Sequence, residues 1–382
     1  MKKNNSLLFL VNDVLLENNG VAKKVLAQSE AFSTMFNEYY FCHLNKVKSK
    51  GFVRLVNNVN LSVIRKSKLC FLFLYRDLLD FVLENKLDVV YIRYAHFSSP
   101  FFMFFLYKLK SNNVRVLLEF PTYPYDLEYK HAPFLSKCRL FMDQLFRIFL
   151  RFFVTESVTF SGEDYVLGIK AHKISNAAPL PIVKRKDNTI QAKPELSEIH
   201  FVAVANLGPW HGYDRLIKSI SNYYKLLDFS DENVTHKKVM FHIVGDGLEL
   251  SHYKDICRTL GIEEYIVFHG EMSGENLSVL LNKCDIGVDS LGRHRSGNNV
   301  NNSLKSKEYL LHGLPIVKSH IDLSLDNNKF CSYVFNVAPT DDDFDISDII
   351  KWYIGMEHIK ISDLAEENFT WESQLRSIFY KP

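Results

Sequence analysis

Short apolar runs rich in β-branched residues alternate with stretches of helical periodicity over most of the chain. In the second half, strand-like runs are Ile199–Val204, Phe241–Val244, Tyr265–Gly270 and Cys284–Asp289. Helical stretches separate them, one ending near Leu260 and the next running from Glu275 to Asn282. This alternation predicts a parallel sheet whose strands are joined by right-handed crossovers.

The first half repeats the same theme. Its strand-like runs are Leu7–Val11, Tyr39–Leu44, Asp88–Ile92, Val114–Phe120 and Phe153–Phe160, and its helical stretches are Ala22–Phe36, Leu69–Leu83, Phe101–Lys110 and Leu135–Leu150. With 382 residues the chain is long enough for two such domains. We therefore expect an α/β protein with two β/α/β domains.

A polar stretch without periodicity marks the boundary between the two series. We predict a first domain over 1–182, a linker over 183–197, a second domain over 198–357 and a terminal segment over 358–382. The terminal segment contains an amphipathic helix, Phe369–Phe379.

The segment from Ser303 to Val317 carries the clearest chemistry. A predicted helix with Lys305 and Glu308 is followed at once by a Gly-Leu-Pro turn and an apolar strand. The N-terminus of a helix holds phosphate through free N–H groups and its positive dipole end. Lys305 can meet the remaining phosphate charge, and Glu308, one turn later, can accept hydrogen bonds from a sugar diol. This segment could therefore bind a nucleotide by its diphosphate and its ribose.

Several polar or glycine-rich turns follow the strands of the second half, where ligands of such sheets bind. Taken in order, Val204–Arg215, Val244–Gly247, Lys305–Glu308 and Gly313–Pro315 resemble the nucleotide-sugar half of GT-B glycosyltransferases. The closest likeness is to the retaining family-4 type of bacterial capsule and exopolysaccharide clusters. In the first half, Asp88–Tyr94 and Leu118–Glu128 are similar to segments of the same enzymes.

The resemblance implies a GT-B fold, with two Rossmann-like β/α/β domains facing each other across a cleft and the last helix crossing back to the N-terminal domain. It also implies that Glu308 binds the ribose and Lys305 the diphosphate, while Ser303 caps the helix that begins at Leu304. The donor site would comprise Gly20, Asn206, His211, Gly212, Gly245, Gly247, Gly270, Arg293, His294, Ser296, Gly297, Ser303, Leu304, Lys305 and Glu308.

The chain departs from this family at two places. Val300 stands where retaining members carry a second glutamate, eight positions before the ribose glutamate. Asn206 and His211 stand where the family has an arginine and a lysine on the diphosphate. The cationic loop Arg293–Arg295 could supply charge instead, although an ordinary polar loop explains it equally well. Arg215 could help, but we interpret it as a surface charge.

Three polar residues end neighbouring strands of the first half. Glu119, Arg93 and His96 are candidates for a catalytic or acceptor-binding role, since polar side chains at such ends often line a site. The alternative is a structural buried pair between Arg93 and Glu119. Gly20 follows the first strand and could bring backbone amides to the donor, although turn chemistry also explains it.

Composition narrows the partners. A net charge of +2 argues against a nucleic-acid binder, and the six scattered cysteines indicate reduced core thiols in a cytosolic protein. Leu7–Val11 is too short for a signal peptide, and no apolar segment could span a bilayer. Arginines share one face of the helical stretch 137–151, which suggests contact with anionic lipid. An ordinary core helix with solvated arginines is the alternative.

We therefore expect a cytoplasmic glycosyltransferase, peripheral on the inner membrane face, that uses a UDP-sugar without cofactor or metal. We expect its acceptor to be a glycan, in the form of a lipid-linked oligosaccharide of a surface polysaccharide. Two alternatives are a non-catalytic GT-B subunit that stabilises a partner glycosyltransferase and a sugar-nucleotide epimerase.

Overall fold

The computed structural model describes residues 6–15, 20–48, 50–129, 132–184, 197–227, 237–297, 299–326, 328–356 and 361–380. The chain divides into two compact units. The first contains 1–175 and 374–382, and the second contains 176–373. Most of the predicted linker, residues 185–196, lies outside the described residues.

The first unit is built on a sheet to which the described residues contribute nine strands. They are β1 (Ser6–Val14), β2 (Glu38–Val47), β3 (Gly51–Val56), β4 (Val59–Asn60), β5 (Val89–Arg93), β6 (Arg115–Phe120), β7 (Glu156–Thr159), β8 (Tyr165–Val166) and β9 (Ile169–Lys173). Their order is β4-β3-β2-β1-β5-β6-β7-β9-β8. The centre is parallel, and β3, β4 and β8 pair antiparallel at the two edges.

Helices cover this sheet at the connections. They are α1 (Gly20–Met35), α2 (Arg76–Glu84), α3 (Pro100–Ser111) and α4 (Phe134–Phe146), with 3-10 helices at Lys68–Leu72, Asp126–Tyr129 and Arg147–Phe152. The start of α3 shows why the chain turns helical there. The Ser99 side chain accepts a hydrogen bond from the Phe102 N–H, and Pro100 occupies the first turn, where no N–H is needed.

The second unit contains a parallel sheet of order β12-β11-β10-β13-β14-β15 within the described chain. Its strands are β10 (Glu198–Val204), β11 (Lys238–Val244), β12 (Ile266–Gly270), β13 (Ile286–Val288), β14 (Ile316–Lys318) and β15 (Val334–Asn336). Its helices are α5 (Tyr213–Leu227), α6 (Leu250–Leu260), α7 (Gly274–Leu281), α8 (Leu304–Leu311), α9 (Ile346–Ile354), α10 (Ile361–Phe369) and α11 (Trp371–Phe379), the last of which continues into the first unit.

Three predicted helices are interrupted in the structure. The stretch Leu69–Leu83 forms a 3-10 helix and then α2, because the chain bends at 73–75. Leu135–Leu150 tightens from α4 into a 3-10 helix at Arg147. The predicted terminal helix Phe369–Phe379 begins as the end of α10 and restarts at Trp371.

Buried apolar side chains form the cores of the two units. The strand at Leu7–Val11 is fully buried, as its apolar run predicts. Cys42, Cys257 and Cys284 are buried, but Cys138 and Cys331 are exposed, so the prediction of core thiols is wrong for these two. Within the described residues, no helix is both long and apolar enough to cross a bilayer.

Candidate functional site

Glycines bring the turns after β10 and β11 into direct contact in the second unit. Gly245 has φ +122°, and a Cβ there would lie 1.8 Å from the Ala205 carbonyl oxygen. Gly247 has φ +148°, and a Cβ there would lie 2.8 Å from Asn206 Oδ1. Any larger residue would separate these turns. The Gly245 N–H also donates to the Gly270 carbonyl, at 2.7 Å, which ties in the turn after β12.

Gly212 allows two loops of the second unit to pack closely against each other. It has φ +63°, and a Cβ there would lie 2.5 Å from the Gly292 backbone nitrogen. The Gly212 backbone therefore packs against the loop after β13, and its place in the donor site stays a prediction. The Leu291 N–H donates to the His211 carbonyl, at 2.7 Å, and holds the same two loops together.

Arg215 strengthens this junction and is not a surface charge, which corrects the sequence interpretation. Its side chain is buried, and its Nη1 donates to the Leu291 carbonyl at 2.5 Å. Its Nε and Nη2 donate to the Asp342 carbonyl. Arg215 therefore shapes the loop after β13 by donating to backbone carbonyl groups of that loop and of Asp342.

A buried carboxylate holds the start of α8. Asp322 Oδ2 accepts from the Ser303 N–H at 3.3 Å and from Lys307 Nζ at 2.5 Å. The Lys307 and Asp322 side chains are both fully buried. Ser303 occupies the N-cap, but its side chain does not cap α8 as predicted. Its side chain instead hydrogen-bonds Asp289.

Lys305 lies beside the carboxyl end of β13. Its Nζ is 3.2 Å from Asp289 Oδ1 and 3.4 Å from Ser290 Oγ. Burial would raise the pKa of Asp289, but Lys305 and His320 hold it well below its usual range. Burial lowers the pKa of Lys305, and Asp289 opposes this shift. Asp289 thus keeps a charged lysine in place at the start of α8.

Leu304 and Glu308 are partly buried and lie on α8, the helix that the sequence predicts. Glu308 lies one turn after Leu304 on α8, three residues beyond Lys305. The Glu308 carbonyl accepts from the His312 N–H at 3.1 Å, so the helix continues regularly past it. The carboxylate is therefore carried by a rigid element one turn from the helix start.

The structure separates the three cations of the loop after β13. Arg295 makes two bonds of 2.8 Å to the Asp214 carboxylate and a third of 2.7 Å to Asp341. His294 Nε2 also contacts Asp341, at 3.1 Å. Arg293 differs: its Nε is buried without a hydrogen-bond partner, and no described carboxylate pairs with its guanidinium. Arg293 is thus the cation of this loop that is available to an anion.

Ser296 and Gly297 close the same loop. Ser296 Oγ donates to the Arg293 carbonyl at 2.8 Å. Gly297 has φ +69°, and its N–H donates to the His294 carbonyl at 3.0 Å. Both residues therefore fix the conformation that presents Arg293.

His211 is a neutral donor. Its Nδ1 accepts from the Gly208 N–H at 3.0 Å, which leaves the ring proton on Nε2. Burial, together with the nearby charges of Lys305 and Arg293, lowers the pKa of His211 to about 3. The influence of both charges on His211 indicates that the three side chains lie near one another. Asn206 is exposed at the neighbouring turn.

A buried polar cluster occupies the carboxyl edge of the first sheet. Arg93 forms an ion pair with Glu119, whose side chain is fully buried. The Tyr91 hydroxyl and Gln28 Nε2 each donate to Glu119 Oε2 at 2.8 Å. Burial raises the pKa of Glu119, but Arg93 and Lys24 bring it below its usual value. This geometry favours the buried-pair alternative, and Glu119 is not open to a substrate.

His96 also lies in the interior of this unit. It has φ +51°, and its ring stacks on Tyr125 with centroids 4.1 Å apart. Burial lowers the pKa of His96 to about 4, and Arg93 and Arg139 contribute. The stacking on Tyr125 favours a structural role for His96, three residues after the end of β5. Gly20, the remaining candidate, is the first residue of α1, while the preceding Glu17–Asn19 lie outside the described residues.

A cavity of ≈230 Å³ opens beside this cluster, at the carboxyl ends of β1 and β5. Its polar lining is Asn12, Asp13, Lys68, Arg93, Tyr94 and Arg139. Asp13 and Lys68 pair with each other at 2.9 Å. Arg139 Nη2 donates to the Ala95 carbonyl, and its Nε is buried without a partner.

The arginines of the 137–151 stretch are not solvated along one helix face. Arg147 contacts Asp126 at 3.0 Å and Asp143 at 3.7 Å. Arg151 follows in the 3-10 helix, so the predicted shared face is broken. Arg151, Lys137 and Gln144 are exposed here, together with a larger set of apolar side chains: Phe134, Leu135, Phe141, Leu145, Ile148, Phe149 and Phe152.

Several residues of these clusters were not predicted. Lys24 on α1 lies 3.4 Å from the Phe160 ring centroid, and burial lowers its pKa to about 7. Asp289 follows an apolar run directly, and such a position could have marked it, whereas Asp322 carries no such signal. Lys24 and Lys307 carried no sequence signal, since a lysine within a helix is usually exposed. The described residues contain no cluster of His, Cys, Asp or Glu that could hold a metal.

Comparison with known proteins agrees with this architecture. Residues 184–290 match the family described as glycosyl transferases group 1. A search of the curated proteins finds no significant match.

Solved structures show the fold. The chain is similar to sucrose-phosphate synthase from Thermosynechococcus elongatus, with 12% identity, a TM-score of 0.58 and coverage of 97% of this chain and 96% of that one. It is also similar to the lipopolysaccharide outer core galactosyltransferase WaaB, with 13% identity, a TM-score of 0.54 and coverage of 99% of this chain and 100% of that one. A third similarity is to an E. coli trehalose-6-phosphate structure bound with UDP-2-fluoro glucose, with 14% identity, a TM-score of 0.50 and coverage of 99% of each chain. These similarities confirm the predicted GT-B fold class.

Proposed function

We propose that this chain transfers a sugar from a nucleoside diphosphate sugar to a glycan acceptor. The observation that carries the proposal is the position of Lys305 and the unpaired Arg293 in one site at the start of α8, with Glu308 one turn further in. The family match and the UDP-2-fluoro glucose bound to a neighbour of the same fold support this assignment and a UDP-sugar as donor.

The donor diphosphate would lie against the first turn of α8. The free N–H groups of that turn and the Lys305 ammonium would face one phosphate, and Arg293 would face the other. His211 Nε2–H can add a neutral hydrogen bond, and Glu308 would accept from the ribose hydroxyls. In this arrangement Arg293 replaces the charge that Asn206 and His211 cannot supply.

The reaction would proceed by loss of the nucleoside diphosphate from the anomeric carbon. Preorganised donors at the site would stabilise the charge on the departing phosphate. We propose retention of configuration and no divalent metal, although Val300 replaces the family's first glutamate. Arg293 and the helix amides would supply the stabilisation that a metal gives elsewhere.

The acceptor would bind in the first unit, in the cavity beside Arg93 and Arg139. We propose a lipid-linked oligosaccharide of a surface polysaccharide as acceptor, used at the cytoplasmic face of the membrane. The exposed apolar side chains around α4, and not its arginines, would provide the peripheral membrane contact.

The test is donor turnover with and without chelator. In excess EDTA, incubation with UDP-glucose and a set of other UDP-sugars should still release UDP. The release should be slow when water is the acceptor and faster when a glycan acceptor is added. Proton NMR of the product should show the donor's anomeric configuration. An inverted product would refute retention, and activity that requires added magnesium or manganese would refute the metal-free reaction.

A non-catalytic subunit is the second candidate, favoured by Val300 and by the neutral His211. Such a subunit would bind no donor by itself, and it would raise the activity of a partner glycosyltransferase. Substitution of Glu308 or Lys305 would then leave the activity of the complex unchanged.

A further inference from the structure

A second, larger cavity opens on the first unit, away from the cluster around Glu119. It has a volume of ≈480 Å³, which is within the usual range for small-molecule sites. It lies between the 3-10 helix Lys68–Leu72, α2 and α3. Six aromatic side chains form most of its wall: Phe71, Phe73, Tyr75, Phe101, Phe104 and Phe105.

Three of these rings are exposed to solvent around the mouth of the cavity. Phe73, Phe101 and Phe104 are 40%, 58% and 56% exposed. The rings of Phe73 and Phe101 are 6.1 Å apart and form a continuous surface. Single exposed apolar side chains are ordinary, but a group of rings around a cavity marks a binding site for an apolar ligand.

Arginines give this apolar cavity a cationic character. Arg54 forms part of the wall and is buried, and its Nη1 and Nη2 donate to the carbonyls of Leu74 and Phe71. Its Nε is buried without a hydrogen-bond partner. Arg65 and Arg76 lie on the exposed rim, with Asp77 as the acidic residue among the lining side chains. The complementary ligand has an aliphatic chain and an anionic group.

One structural element separates this cavity from the ≈230 Å³ cavity at the ends of β1 and β5. Leu69 and Leu72 of the 3-10 helix line the smaller cavity, and Phe71 of the same turn lines the larger one. Arg54 Nη2 donates at 2.9 Å to Asn12 Oδ1, and Asn12 lines the smaller cavity. The two cavities are therefore neighbours on opposite sides of a single turn.

We propose that the ≈480 Å³ cavity binds the aliphatic chain of the acceptor, with its phosphate at Arg65 and Arg76 and its sugar directed to the smaller cavity. The assignment of the chain to an acceptor rests on the proposed function. The binding of a phosphorylated aliphatic chain does not, because it follows from the aromatic wall and the arginines alone.

Calorimetry with monomeric decyl phosphate, below its micelle-forming concentration, tests the proposal. Phe104→Ser should weaken binding on the order of tenfold, since the chain loses an aromatic contact. The matched control is Tyr165→Ser, an exposed aromatic residue that lines neither cavity, which should bind as wild type does. Unchanged thermal unfolding would show that both variants are folded.

Other ligands separate the sources of binding. Arg65→Ala should reduce the preference for decyl phosphate over decyl maltoside, and inorganic phosphate alone should bind far more weakly than the chain. Equal binding of decyl phosphate by wild type and Phe104→Ser would overturn the proposal. So would binding only to phosphatidylglycerol vesicles, which would make these rings a bilayer contact. UDP binding is measured separately and tests the donor site. Its outcome does not depend on whether the cavity binds decyl phosphate.

Discussion

At the scale of single residues, the donor site depends on which cations are free and which are already paired. Arg295 forms ion pairs with Asp214 and Asp341, and Arg215 donates to backbone carbonyl groups. The sequence alone could not reveal these partners. Arg293 lies in the same short stretch of sequence but keeps its charge available. Neighbouring arginines of identical chemistry thus have opposite roles.

Arg293→Ala should therefore weaken UDP binding with little change in stability. The lost charged hydrogen bonds should cost roughly 1.5–3 kcal/mol of binding free energy. Arg295→Ala is the matched comparison, and it should lower stability because it removes two hydrogen bonds from the nearly buried Asp214 carboxylate and leaves it only Lys218, at 3.9 Å. Calorimetry and urea unfolding measure the two effects. Similar UDP affinities for Arg293→Ala and wild type would contradict the role of Arg293.

His211 should make stability fall with acid before the carboxylates titrate. Its pKa is about 3 in the folded protein and near 6.5 when unfolded. Between these values the unfolded chain binds the proton and the folded chain does not, so stability decreases as the pH falls from about 6.5 towards 3. His211→Asn can still accept the Gly208 N–H but does not titrate. Its unfolding free energy should depend less steeply on pH than that of wild type, and parallel curves would refute the assignment.

At the scale of elements, the parallel βα series was predictable because buried strands give short apolar runs. Strands β3, β4, β8, β9 and β15 were missed. β4, β8 and β15 have only two or three residues, β9 is largely outside the core, and Arg54 interrupts the apolar run of β3. The placement of Lys305 and Glu308 at the start of a helix also followed from the sequence. The ion pair that supports this helix did not follow from the sequence. Lys307 lies on α8 and Asp322 lies beyond β14, and no local sequence pattern encodes a contact between them.

Asp322→Ala should strongly destabilise the second unit and weaken nucleotide binding. It leaves the Lys307 ammonium buried without a counter-ion, at a cost of about 3–5 kcal/mol, and frees the Ser303 N–H. The double variant Lys307→Met/Asp322→Leu should recover much of that stability. Asp255→Ala, which breaks an exposed pair with Arg258, is the control and should change stability little. Equal unfolding midpoints for Asp322→Ala and Asp255→Ala would contradict this account of α8.

At the scale of the whole molecule, the two units carry different kinds of sites. The second unit presents cations, helix amides and a carboxylate to a nucleotide, and the first presents two cavities with arginines and aromatic rings. The central claim is that α8 binds a nucleoside diphosphate through its phosphates at Lys305 and its ribose at Glu308.

Isothermal calorimetry of UDP and uridine with wild type, Lys305→Ala and Glu308→Ala tests this claim most directly. Wild type should bind UDP much more tightly than uridine. Lys305→Ala should weaken UDP binding and leave uridine unchanged, because its partner is phosphate. Glu308→Ala should weaken both by roughly 1.5–3 kcal/mol, because both contain the ribose. Unchanged UDP affinity in both variants would contradict the account.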